Sequence, residues 1–367
     1  MSLNGKRIWI DIEEPKTGIM FNYLFKMFKD AGAELLITAR DFDSTFQVMD
    51  DLGVDYKKVG KHGGATIEGK LKAYIDRLKA LYPVVVGFKP DFFVTFSSVE
   101  GPRISYGLQI PSIGFNDEPR NVPVCKLIFP YLDEIITPSC IPQQLYEDLY
   151  ADPERLIRYN GIDEIGWLSQ YHPNPDVLKK FTVMKGEFVL IRSEMSSASY
   201  FIDKLEPEET MIAKFFPSIF KKYPDYKYFL LVRSTEQKTW LEKQLEEYKD
   251  RDNVIITNYL PNVVDLCFYS ALVISGGGTI VRESSLLNVP SIEFFPGETA
   301  PQEHFLIENG FPLQHNKDPS DIVKNSIQIL DRGSKNGRFT MDFKKMINKF
   351  ENPNVVCFNR VVKRMQF

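Results

Sequence analysis

Short apolar runs recur along the chain, each followed by a stretch in which apolar residues return at helical spacing. "KRIWIDI" (Lys6 to Ile12) has the β-branched and aromatic content of a strand, and "MFNYLFKMFKDAG" (Met20 to Gly32) the spacing of an amphipathic helix closed by glycine. "ELLITAR" (Glu34 to Arg40) predicts the next strand, and a helix pattern follows from Ser44 to Leu52. Ile67 to Phe88 predicts a long helix that Pro83 should kink or end. "DFFVTF", "PSIGFN" and "EIITPS", beginning at Asp91, Pro111 and Glu134, are compact strands. Runs apolar on both faces and separated by helices are the signature of a buried parallel sheet.

The pattern then starts again. "EFVLIRS" (from Glu187), "KYFLLVR" (Lys227), "NVIITN" (Asn253), "LVISGG" (Leu272) and "PSIEFF" (Pro290) predict five more strands. The fold class expected is therefore α/β, with two doubly wound, Rossmann-like units. Between them, "WLSQYHPNPDVLKKFTVMKG" gathers Pro173, Asn174 and Pro175, so residues 166–186 are expected to link a first domain, 1–165, to a second, 187–340. Residues 341–367 are expected to form C-terminal helices, either packed back on the first domain or solvated.

Length and charge narrow the possibilities. A chain of 367 residues exceeds what one core usually supports. A net charge of −4 argues against nucleic acid as a partner, because phosphate-backbone binding needs a basic face. No apolar run reaches the ~20 residues of a membrane span, and the start shows no signal-peptide pattern. The four cysteines are far apart with no CxxC spacing, which fits a reducing, cytoplasmic setting and no thiolate zinc site. No histidine pair has metal-ligand spacing, and "DFD" (Asp41 to Asp43) is expected to begin a helix. A metal-independent site is the expectation, with a helix terminus and arginines in place of the cation.

The segment richest in chemistry is "VISGGGTIVRESSLLNVPSIEFFPG" (Val273 to Gly297). A strand ends at Ser275, Gly276, Gly277 and Gly278 let a ligand approach the backbone, and Thr279 is expected to cap the following helix. Free N–H groups at such a start favour phosphate, and Glu283 lies one turn further on, within reach of a sugar hydroxyl. The plain alternative is a tight strand–helix turn whose glycines only permit packing.

This stretch resembles the nucleotide-binding segment of GT-B glycosyltransferases and of UDP-N-acetylglucosamine 2-epimerases, with Asn288 in the place of their glycine before "x-P". More closely, the chain is similar to the archaeal and bacterial family labelled domain of unknown function 354. That resemblance runs through "IDIEEPKTGIMFNYL", "KHGGATIEGKL", "KPDFFVTFSSVEGPRISYGLQIPSIGFNDEPRN" and "YNGIDEIGWL" to the glycines, nearly the whole chain. It implies two Rossmann-like domains facing across a cleft, with a sugar nucleotide, UDP-type first, held mainly by the second. By analogy Gly276, Gly277, Gly278 and Thr279 would hold the diphosphate and Glu283 the ribose, with Arg282 an alternative phosphate partner. Ser275 stands where retaining transferases often carry a second glutamate, and "EEPKTGIM" offers no counterpart of the histidine of inverting ones.

Other strand-end loops supply the remaining candidates. "FNDEPR" carries Asp117 and Glu118, expected as catalytic carboxylates, beside Arg120 as a substrate clamp; the alternative is a self-satisfied polar loop. In the epimerases an acid follows the equivalent strand, which Asp117 or Glu118 resembles. "VGKHGGA" offers His62 as an acid/base group. Arg192, Ser193 and Glu194 in "IRSEMSSASY" would sit over the phosphate turn, the alternative being a helix N-cap region built from serines, and Glu298, Thr299 and Gln302 in "FPGETAPQEHF" would contact sugar or acceptor. Glu100 and Arg103 either line the acceptor side or begin a helix. His304 is expected inside a helix facing its neighbours, and His172 and His315 in ordinary loops.

The leading expectation is an enzyme acting on a nucleotide-activated sugar, with glycosyl transfer to an unknown acceptor ahead of epimerisation. The nucleotide sugar would be a substrate, with no tightly bound cofactor. A binding protein without turnover is the second class. An NAD enzyme is disfavoured, because "IWIDI" runs into "EEPKTG" and not GxGxxG. Base, sugar, acceptor and oligomeric state are not written in the sequence.

Overall fold

The computed structural model describes residues 2–64, 66–194, 208–248, 250–295, 297–333 and 342–365. The chain forms two compact units, one of Met1–Gln170 with Asn348–Phe367, the other of Tyr171–Ile347. Each is a doubly wound parallel sheet.

In the first unit the strands are β1 (Arg7–Ile12), β2 (Glu34–Asp41), β3 (Lys57–Lys61), β4 (Phe92–Phe96), β5 (Ser112–Phe115), β6 (Glu134–Pro138) and β7 (Leu156–Tyr159). They lie in the order β3-β2-β1-β4-β5-β6-β7. Ile8 pairs with Leu35 on one side and Phe92 on the other, so β1 is central. Ile8, Trp9, Ile10 and Ile12 expose no surface, which is why the run reads apolar on both faces.

Helix Pro15–Asp30 starts with proline at its first position, where no N–H is needed, and buries Met20, Phe21, Leu24, Phe25 and Phe28 along one face. Each such Phe contributes about 1.5–3 kcal/mol relative to exposure. The C-terminal helix Pro353–Met365 joins this core through Cys357, Val361 and Val362, with Phe358 packed 5.6 Å from Phe28.

The second unit holds β8 (Phe188–Arg192), β9 (Lys227–Leu231), β10 (Val254–Thr257), β11 (Leu272–Ser275), β12 (Ser291–Glu293) and β13 (Leu313–His315), ordered β10-β9-β8-β11-β12-β13. Its core gathers Phe215, Phe216, Ile219 and Phe220 of helix Ile212–Lys222 against Ile191, Leu230 and Ile274 of the sheet.

Several local expectations change. Helix Ile67–Phe88 runs through Pro83 and ends at Lys89, which takes a left-handed φ of 54° ahead of Pro90. Asp41 ends β2 and Asp43 has a φ of 51°, so "DFD" is a strand end and turn; the helix begins at Thr45. Thr279 is not a cap: the helix begins at Gly278 and its N-cap is Gly277. His304 does lie in helix Pro301–Glu308, but on its exposed side. His315 ends a strand too short to stand out as a pattern.

Candidate functional site

In an open parallel sheet, ligands bind beyond the carboxyl ends of the strands, where neighbouring connections run to opposite faces. That point lies between β8 and β11 in the second unit and between β1 and β4 in the first. Both carry clusters of charge.

In the second unit, Gly276 N–H donates to the Arg192 carbonyl (3.0 Å), tying the glycine turn to the end of β8. None of Gly276, Gly277 and Gly278 has a positive φ, so glycine is not needed there for backbone conformation. Space is the reason. A Cβ on Gly276 would stand 2.7 Å from the Glu194 Cα and backbone N. On Gly277 it would meet Arg233 Nη2 at 2.5 Å, and on Gly278 Arg282 Nη1 at 2.7 Å and Glu303 Oε1 at 2.9 Å. Two guanidiniums thus lie against a turn that opens helix Gly278–Leu286, a combination suited to an anion.

Each arginine is held. Arg233 Nε donates to the Ser193 carbonyl at 3.2 Å, and Arg282 donates to Glu303 at 3.1 Å. Ser193 donates to Gln237 at 2.8 Å. Glu194 accepts from Thr210 (2.8 Å) and the Met211 N–H (2.7 Å) at the start of helix Ile212–Lys222, and burial holds its carboxyl above the usual range. Residues 195–200 of the "IRSEMSSASY" loop lie outside the described residues. Glu283 is buried on the glycine-opened helix. Asn288 takes φ 60° just past it, the left-handed conformation for which glycine is usual and asparagine tolerated. Of the expected sugar contacts, Glu298 is exposed, Thr299 half-buried and Gln302 buried beside Glu303 on helix Pro301–Glu308.

In the first unit, Arg77 reaches from helix Ile67–Phe88 into the sheet edge and exposes no surface. It holds Asp11 through two bonds of 2.7 and 3.0 Å, Glu100 at 2.8 Å and Glu13 at 3.3 Å. Asp11 also accepts from Ser98 (2.6 Å) and Thr38 (2.5 Å). Burial works against the Arg77 charge, but these three acids keep it protonated. Arg40 adds a second cation, 3.1 Å from Glu13. Burial, then Glu100, raises the Glu13 carboxyl to about 7. His62 stands by this group, its ring 4.5 Å from Phe42; burial, Arg40 and Lys70 lower its pKa.

A second group surrounds Lys16, which pairs with Asp117 at 2.7 Å and Asp163 at 2.9 Å. Asp163 also accepts from Tyr159 at 2.5 Å, and burial, opposed by Lys16 and reinforced by Asp117, raises it to about 7. Glu118, by contrast, is exposed and gripped by Arg120 through bonds of 2.6 Å each.

The structure therefore brings Asp117 into a half-buried network with Lys16 and the buried Asp163, sets Glu118 and Arg120 apart as a surface pair, and places His62 with the Glu13 group. Sequence reasoning missed Lys16, Glu13, Asp163, Arg77, Arg233 and Glu303. Glu13 and Lys16 lie in "EEPKTG", immediately after the central strand, and Arg233 ends "KYFLLVR"; strand-end position was the available signal. Among the described residues no group of acids, histidines and cysteines could hold a metal ion, and no helix is long and apolar enough to cross a membrane.

This is a two-unit parallel α/β chain of the architecture found in GT-B-type epimerases and glycosyltransferases. It belongs to the family described as a protein of unknown function (DUF354), which it matches over residues 6–366. An uncharacterized protein of Methanocaldococcus jannaschii is 26% identical over 321 residues, covering 86% of this chain and 89% of that protein. Among solved structures, the UDP-GlcNAc 2-epimerase of the same organism superposes with a TM-score of 0.71 at 14% identity, covering 98% of this chain and 99% of the other. MnaA of S. aureus, solved with UDP, gives 0.70 at 14% identity over 98% and 96%. The Neisseria meningitidis UDP-GlcNAc 2-epimerase bound to UDP-GlcNAc gives 0.67 at 13% over 98% and 99%.

Proposed function

We propose that this protein is an enzyme acting on a UDP-linked sugar at its anomeric carbon. The observation that carries the reading is the glycine turn at the β8/β11 switch point, pressed on by Arg233 and Arg282. A diphosphate there would take the N–H groups of the helix start and both guanidiniums, with Glu283 toward the ribose. These donors stabilise UDP as the C1–O bond breaks and its electron pair passes to the β-phosphate oxygen. Structures of similar fold solved with UDP and UDP-GlcNAc support UDP as the first nucleotide to test.

Two outcomes follow from that bond cleavage: transfer of the sugar to an acceptor, or proton removal and return at C2 with readdition of UDP. The second needs groups that exchange a proton, and in the first unit Glu13 and Asp163, carboxyls raised to about 7, can carry one at neutral pH. Asp117, Asp163 and Glu13 are the acid/base candidates, with Lys16 positioning the first two.

Titration calorimetry with UDP, GDP, CDP and ADP tests the site: UDP should bind, and Arg233→Ala and Glu283→Ala should weaken it. UDP-GlcNAc incubated in D2O tests the reaction. Deuterium at C2 of the recovered sugar nucleotide indicates epimerisation, and a new glycosidic bond indicates transfer. Absence of nucleotide binding would remove the reading.

A further inference from the structure

Helix Ile67–Phe88 has more apolar surface than its own fold covers. Arg77, Leu81 and Val85 are buried against the sheet, with Leu78, Val84 and Phe88 packed beside them. Next to that face, Ile67 (88% exposed), Leu71 (59%), Ile75 (56%), Tyr82 (55%) and Val86 (40%) stand in solvent. At the helical 100° per residue, these five and Leu78 fall within an arc of roughly 100°, a complete core-facing stripe in its own right. Glu68, Lys72, Asp76 and Lys79 lie at or beyond its edge, and Lys72 is paired with Asp76 at 2.6 Å. On the neighbouring helix, Glu100–Gly107, Tyr106 is exposed, as is Leu108 just past the helix end, and both add to the apolar surface.

The stripe has an internal symmetry. Ile67, Leu71, Ile75, Leu78, Tyr82 and Val86 are spaced four, four, three, four and four residues apart. Reversed, the series is unchanged: Ile67 matches Val86, Leu71 matches Tyr82, and Ile75 matches Leu78. An antiparallel copy of the same helix therefore presents apolar residues opposite apolar residues along the full length, as a two-fold interface requires. Six or seven side chains exposing roughly 100 Å² each approach the ~800 Å² per partner of a standard interface, and exceed the usual exposed patch of a monomer. The charge pattern favours protein over lipid, because a membrane-lying helix needs a basic polar face and this one is mixed.

We infer that helix Ile67–Phe88 is the core of a two-fold homodimer interface, packed antiparallel on its copy. The inference is independent of the nucleotide site.

Sedimentation velocity and light scattering of the full chain at about 10 μM test it. The wild type should run at twice the 42.4 kDa chain mass. Leu71→Glu and Ile75→Glu, both at exposed positions, should give monomer with an unchanged far-UV spectrum. Met184→Glu, at an exposed apolar residue of the other unit, should leave the dimer intact. A Leu71→Cys/Tyr82→Cys variant, whose two positions face each other across the two-fold, should form an intermolecular disulfide under mild oxidation. A wild-type monomer at that concentration would overturn the inference, and so would a dimer that survives both Glu substitutions. Flotation of the wild type, but not Ile75→Glu, with phosphatidylcholine–phosphatidylglycerol vesicles would also overturn it and assign the stripe to lipid.

Discussion

The three glycines give a direct way to separate packing from ligand binding, because each faces a different kind of neighbour. An alanine methyl at residue 276 would press on the Glu194 Cα and N at 2.7 Å, far inside the ~3.5–4.0 Å of a relaxed carbon contact. Glu194 cannot retreat cheaply, since its carboxylate is bonded to Thr210 and Met211 and the turn itself is bonded to Arg192. Gly276→Ala should therefore cost about 1–3 kcal/mol in stability, as overpacking does. For a unit of this size that is a fall in melting temperature of roughly 2–4 °C per kcal/mol.

At residue 277 the close atom is Arg233 Nη2 at 2.5 Å, and the next, Cζ, is already at 3.8 Å. A guanidinium tip can swing aside, so Gly277→Ala should leave the fold intact and displace the arginine. If that arginine binds phosphate, a charge-assisted hydrogen bond worth about 1.5–3 kcal/mol is lost, a weakening of UDP affinity by roughly ten- to a hundredfold. Arg233→Ala should weaken binding similarly, and the double variant should be little worse than either single one, because both remove the same contact. Calorimetry with UDP beside a thermal melt of each variant decides the matter. Normal affinity in both Gly277→Ala and Arg233→Ala, with binding retained by the wild type, would show that Gly277 only accommodates packing.

The first unit yields two further predictions. Arg77→Met should lose about 3–5 kcal/mol in urea unfolding at pH 8, because Asp11, Glu13 and Glu100 would stay buried without their shared cation; the loss should shrink at pH 5, below the raised value of Glu13, where one of the three charges is neutralised. Glu13 and Asp163 rise from ordinary values of 4.5 and 3.8 to about 7, so between those limits the folded chain binds more protons than the unfolded one. Stability should accordingly fall as pH rises toward 7, by up to about 1.4 kcal/mol per unit for each proton held. Glu13→Gln should flatten that dependence; an unchanged slope in denaturant titrations at pH 5, 6, 7 and 8 would refute the assignment.

The sheets were legible in the sequence because buried strands such as β1, β4 and β11 carry apolar residues on both faces and leave compact apolar runs, broken in β1 by the buried Asp11. β13 and β7 escaped detection: three or four residues with half-buried members leave no periodicity to find. Pro83 does not end its helix, for a related reason. Proline removes one N–H and crowds one carbonyl, but an exposed helix face can leave that carbonyl to water, and the actual stop is the Lys89–Pro90 pair.

The glycine turn itself was legible, but its reason was not. Sequence shows three glycines after a strand; only the fold shows that Glu194, Arg233 and the Arg282–Glu303 pair crowd Gly276, Gly277 and Gly278 in turn. The same limit hid the network of the first unit. Arg77 lies in a helix otherwise marked by lysines and acids, where a charged residue reads as solvated surface. Its partners come from residues 11, 13 and 100, brought together by strand order alone. Five charged side chains then share that edge, three acids with Arg77 and Arg40, leaving one negative charge in excess. In a buried setting that excess is relieved most cheaply by a proton, and Glu13, with Glu100 beside it, is where the proton is held. A sheet edge that stores a proton near neutral pH is suited to acid/base work, whereas a fully balanced ion-pair network would serve structure alone.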